Sequence, residues 1–166
     1  MQNAHFVAAP LLAGAAIGVS GVIAADSEKF RWGGPSIVVL ALSSVLFISC
    51  MQSSFNAAAY LFTPADLDAW YGDSDRPDVE RLMQIQWNDF QVWRRLTRKA
   101  VDRYNLGVIS LGVGAAFTLA PKGNSPPVDA GFRWAACSIV GLATVCEMVK
   151  YGIAHVQRRS NRGGTR

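Results

Sequence analysis

The sequence predicts an all-α polytopic membrane protein: four transmembrane helices, with a cytoplasmic helical insert between spans two and three. Three observations predict it. Apolar residues gather in four uncharged blocks, charged residues gather between and after the blocks, and Lys and Arg are unequally shared between the two sides the blocks define. The expected division is residues 1–52 for spans one and two, 53–104 for the insert, 105–157 for spans three and four, and 158–166 for a basic tail.

Phe6 to Ala25 carries no charge, and about twenty helical residues at about 1.5 Å each cross a hydrocarbon core of roughly 30 Å. The block is longer than a signal-peptide core, and "MQNAH" supplies no basic start, so a retained span is expected rather than a cleaved leader. Pro35 to Ala65 is also uncharged; its most apolar part, Ile37 to Met51, runs into the polar "QSSFN". Asn105 to Pro121 and Trp134 to Cys146 complete the set. Both are short, so each is expected to borrow flanking residues or to sit in thinned bilayer. A soluble bundle is the alternative, and four such blocks in a small chain leave too little polar surface for it.

The segment between spans two and three carries Arg76, Arg81, Arg94, Arg95, Arg98, Lys99 and Arg103, and the tail adds Arg158, Arg159, Arg162 and Arg166. The two opposite connectors hold Lys29, Arg31, Lys122 and Arg133. Eleven cations against four put the insert and both termini in the cytoplasm by the positive-inside rule. Trp32 and Trp134 fall at the expected outer ends of spans two and four, where an aromatic belt lies. The localisation implied is a bacterial inner membrane. A pI near 9.2 then reflects attraction to anionic inner-leaflet lipid rather than nucleic acid. The connectors "DSEKFRWGGP" and "PKGNSPPVDAG" read as irregular, and the tail "RRSNRGGTR" as disordered.

Within the insert, "TPADLDAWYGD" reads as a short helix near 64–71, with Thr63 as cap, Pro64 at the first position, Asp66 in the first turn and Gly72 as the stop. It would present Leu67, Trp70 and Tyr71. A second helix starts after Asp75 and Pro77 and meets no Gly or Pro before Gly107. At 100° per residue, Val79, Leu82, Met83, Phe90, Trp93, Ala100, Val101 and Tyr104 share one face. Arg94, Arg95, Arg98, Lys99 and Arg103 are expected on the other, toward lipid. The apolar face is expected to dock a protein. The helix either projects into the cytoplasm as an extension of span three, which the lack of a breaker favours, or lies along the inner leaflet.

"QSSFNAAAYLFTPADLDAWY" resembles the stretch after span two in a group of uncharacterised four-span membrane proteins of actinobacteria. The resemblance rests on Gln52, Phe55, Tyr60, Thr63, Pro64, Asp66 and Trp70, and on Tyr104 to Gly107 at the entry to span three. The basic residue which that pattern carries around 57–59 is alanine here. The resemblance implies the four-span layout and no particular activity.

No catalytic constellation emerges. The acidic run Asp66, Asp68, Asp73, Asp75, Asp78 and Glu80 fails calcium-loop spacing, and three of its members serve as helix starts. His5 and His155 have no Cys, Asp or Glu at ligand spacing, and Cys50, Cys137 and Cys146 read as small buried thiols. No enzyme and no cofactor are expected. Glu147 lies within the extended fourth block, with Lys150 one turn on as its ready partner. Gly14, Gly18 and Gly21 in span one, and Ser110, Gly114 and Thr118 in span three, form small-residue surfaces for close helix packing, within the bundle or between copies. The expected function is a non-enzymatic, membrane-anchored interaction module; an oligomeric pore-forming or membrane-disrupting effector gated by the insert is the alternative.

Overall fold

The computed structural model describes residues 5–60, 69, 78–122 and 126–163. Every regular element among them is helical: α1 (His5–Ala25), a 3₁₀ turn at Ser27–Lys29, α2 (Gly33–Ala58), α3 (Val79–Leu119) and α4 (Pro127–Gly163). The expected short helix at 64–71, its cap and most of the acidic run lie outside the described residues.

Among the described residues, three helices are long and apolar enough to cross a membrane, over Val7–Ala25, Gly33–Ala58 and Pro127–Ile153. The remaining apolar block forms the C-terminal part of α3, whose uncharged run from Asn105 to Leu119 covers 15 residues, or about 22 Å. That is short of a full crossing. α4 starts at Pro127, where a missing N–H costs a helix nothing, so it draws in seven residues ahead of Trp134. At its other end α4 runs to Gly163, which corrects the disordered tail expected from residue 158. Residues 154–162 contain no Gly or Pro, so nothing local stops the helix.

α2 packs most extensively on α3; α1 packs on α2 and α4 on α3. Short links from α1 to α2 and from α3 to α4 make each pair antiparallel. The two links lie together at one end, where Lys122 Nζ donates to the carbonyl of Glu28 and Trp32 stacks on Phe117 at 6.2 Å. The free end of the bundle therefore carries the N-terminal half of α3 and the C-terminal turns of α4.

Large apolar side chains cover the outside of the bundle as well as filling its core, and the core also takes in hydroxyls. On α2, Ser36 and Ser43 are fully buried while Val38, on the same helix, is 69% exposed. The buried hydroxyls need partners, and they find them in carbonyls: Ser36 in Trp32 at 2.7 Å, Ser44 in Leu40 at 3.0 Å, and Ser43, across the interface, in Gly107 at 2.8 Å. Small residues let the backbones approach. A Cβ on Gly114 would sit 2.8 Å from Leu40, one on Gly107 2.9 Å from Phe47, and one on Gly112 would collide with Thr144 of α4. On α1 the packing surface is alanine, with Ala9, Ala13 and Ala16 buried. Gly14, Gly18 and Gly21 face outward with open space where a Cβ would stand. Packing within the bundle by those glycines is thereby corrected: of the glycines expected in close packing, Gly114 alone makes such an approach.

Candidate functional site

α3 is an uninterrupted helix of 41 residues, about 60 Å long. Hydrogen bonds fix its register against α2: Ser43 meets Gly107, and Arg103 meets Ser49 and Ser53. α2 ends at Ala58, eight residues past Cys50, so in this antiparallel pair the α3 residues ahead of about 92 extend beyond it. The apolar stripe thus has two fates. Where α2 is present, Ala100 is buried beside Cys50, and Tyr104 packs edge-on against Phe47 at 5.8 Å. Beyond the end of α2 the stripe continues and is bare. Met83 is 64% exposed, Trp87 62% and Phe90 44%; Leu82 and Trp93 are half-buried.

The bare part is ordered by ring contacts. Trp87 and Phe90 have centroids 6.1 Å apart, and Phe90 stacks on Trp93 at 5.5 Å. Spacing of three along a helix sets one ring above the next. Trp87 was not in the expected stripe because it lies toward the edge of the apolar arc; the repeated spacing Trp87, Phe90, Trp93 is the signal that reveals it. Tyr104, expected to dock a partner, instead belongs to the contact with α2.

The expected basic face divides as well. Arg94, Arg95, Arg98 and Lys99 are exposed and, with Gln91 and Asp102, line a hollow of about 450 Å³. Arg103 does not join them. It is half-buried and donates to the Ser49 carbonyl at 3.0 Å and to Ser53 Oγ. In apolar surroundings a guanidinium must find such acceptors. Arg103 is thus a bridge to α2, a correction to its placement toward lipid.

Glu147 Oε1 and Lys150 Nζ pair at 2.7 Å on the outer side of α4, with side chains 53% and 71% exposed. Ser110 is half-buried in α3. Cys50 is buried, Cys137 lies 3.4 Å from the Ala116 carbonyl, and Cys146 is exposed, so the burial expected of Cys146 is corrected. Among the described residues, no three His, Cys, Asp or Glu side chains converge as a metal site.

Comparison with models of protein families, with curated proteins and with solved structures finds no match. What the fold defines is therefore a class: a small helical protein with three helices able to cross a membrane and one long helix extending past the others.

Proposed function

We propose that this chain is a multi-pass inner-membrane protein that acts as a non-enzymatic interaction module, docking a protein through the projecting half of α3. In this reading α1, α2 and α4 span the bilayer, and the apolar half of α3 makes the fourth crossing in their shelter. The excess of cations at the free end puts that end in the cytoplasm. The observation that carries the reading is the stripe on α3, buried beside α2 at Ala100 and bare past the end of α2 at Phe90, Trp87 and Met83. An ordered aromatic surface of this kind offers large contact area at low entropic cost. The occupant it suits is an amphipathic helix of a cytoplasmic or neighbouring membrane protein, laid against the ladder.

The test is affinity purification in mild detergent with Phe90→Asp beside Arg95→Gln. A docked partner should be lost from the first and kept by the second. Equal retention by both variants would exclude the ladder as the docking surface.

The second reading, an oligomeric pore, is favoured by the outward glycine face of α1. Gly14→Ile together with Gly18→Ile should leave the mass of the detergent complex unchanged if the chain acts as a module, and reduce it if copies associate through α1.

A further inference from the structure

We propose that Arg94, Arg95, Arg98 and Lys99 form a binding site for a phosphate group, supplied by an anionic phospholipid headgroup of the cytoplasmic leaflet. Position along α3 is the first argument. Starting from Trp32, the bilayer's hydrocarbon core of about 30 Å is used up near Gln52, and the bonds of Arg103 to Ser49 and Ser53 put that residue at the same level. Lys99 and Arg98 lie four and five residues further out, about 6 and 7.5 Å along the axis. That is the headgroup layer, roughly 5–8 Å thick on each side. Arg94 and Arg95 stand one turn beyond.

Charge is the second argument. The hollow of about 450 Å³ is lined by these four cations with Gln91 and Asp102, leaving an excess of 4 − 1 = 3 positive charges. Arg94 with Arg98, and Arg95 with Lys99, are like-charge pairs four apart, an arrangement that weakens an isolated helix. A phosphate between the two rows turns those repulsions into shared attraction. Guanidinium groups suit it, since their paired N–H donors match two phosphate oxygens. α4 runs antiparallel to α3, and its last turns reach the same end of the bundle. An acidic protein could also meet four cations, but the depth of Arg98 and Lys99 favours lipid.

The site rests on the membrane placement of α2 and α3 and not on protein docking by the aromatic ladder. The full-length chain, purified in detergent, is incubated with equal phosphatidylglycerol and phosphatidylcholine, and the retained lipid is measured by mass spectrometry. Wild type should retain phosphatidylglycerol preferentially. The triple variant Arg94→Gln, Arg95→Gln, Lys99→Gln should lose that preference by at least tenfold, at roughly fivefold per cation. Arg31→Gln with Arg133→Gln, at the opposite end, should keep it, as should Phe90→Asp. Should the triple variant fail to fold, Lys99→Gln alone should show the single-cation loss. Unchanged retention in a folded triple variant, or no preference in wild type, overturns the proposal. Displacement of the retained lipid by inorganic phosphate alone would keep the phosphate chemistry and overturn the lipid source. An acidic protein that co-purifies with wild type, and is lost with the same three cations in place of lipid, would also overturn it.

Discussion

The Arg103 guanidinium crosses from α3 to α2 and donates to the carbonyl of Ser49 at 3.0 Å, within one turn of the core contact between Tyr104 and Phe47. It marks the level at which the bundle changes from apolar packing to a charged surface. Arg103→Met removes a charge-assisted bond of about 1.5–3 kcal/mol. Ser49 keeps a second donor in the Ser53 hydroxyl at 2.9 Å, so the expected loss lies at the low end, about 1.5–2 kcal/mol. Thermal unfolding in detergent measures it. A midpoint equal to wild type would mean that Arg103 does not hold the two helices together.

Glycines on opposite sides of the bundle should respond in opposite directions. Gly114→Ala places a methyl group 2.8 Å from Leu40, a side chain that is 1% exposed and has no room to withdraw. Overpacking of that kind costs about 1–3 kcal/mol. Gly14→Ala meets nothing within 4 Å and removes the helix penalty of glycine, so it should be neutral or stabilising by up to about 1 kcal/mol. Unfolding midpoints of the two variants are compared directly. Destabilisation by Gly14→Ala would show that α1 uses its glycine face in a contact.

The contrast between those glycines also shows how far the sequence reaches. Long uncharged runs identify membrane-compatible helices because bilayer thickness sets a length that composition must fill. Three of the four expected blocks become helices able to cross a membrane. Which face of such a helix packs inward is not legible in the same way, because an apolar helix carries little periodic contrast. Thus Ala13 is buried and Gly14 is outward, and Ser43 is buried while Leu42 is exposed. On α3 the contrast is strong, and Phe90 and Trp93 fall on the expected stripe. Arg103 escaped because its level against α2 depends on the register of two helices joined by a long segment. A pattern read along one helix contains no information on that register.

Glu147→Gln should change little. The pair with Lys150 lies on the outside of α4, with both side chains more than half exposed, and surface pairs contribute about 0–1 kcal/mol. The unfolding midpoint should fall only slightly. Glu147→Gln with Lys150→Met should be close to additive. Altered ion flux in reconstituted bilayers after Glu147→Gln would instead support the pore reading.

Orientation is checked by cysteine labelling in intact cells, in a background without the native cysteines. The contact of Lys122 with Glu28 sets the two connectors at one end, so Cys at Ser27 and at Pro126 should label together from outside. Cys at Glu80 and at Gln84, on the projecting half of α3, should label only after the membrane is opened. The reverse pattern would invert the topology, and labelling of Ser27 without Pro126 would remove one of the crossings.

The last prediction concerns the direction of α3. The helix has no break between Val79 and Leu119, and Trp87 stands 16 residues before Arg103, about 24 Å along the axis. If α3 keeps its course through the membrane surface, Trp87 lies well beyond the headgroups. A variant that keeps Trp87 as its only tryptophan, with the other four replaced by Phe, is reconstituted in vesicles containing brominated lipid. The bromine atoms are carried on the acyl chains and quench only tryptophans close to them. Trp87 fluorescence should be almost unchanged, whereas a matching variant that keeps only Trp134 should be quenched. Iodide added outside should quench Trp87 in chains inserted with the projecting half outward, since its ring is largely exposed. Strong quenching of Trp87 by the brominated chains would mean that α3 bends at the membrane surface and lays its aromatic ladder into the leaflet. The ladder would then be a lipid anchor and not a docking surface.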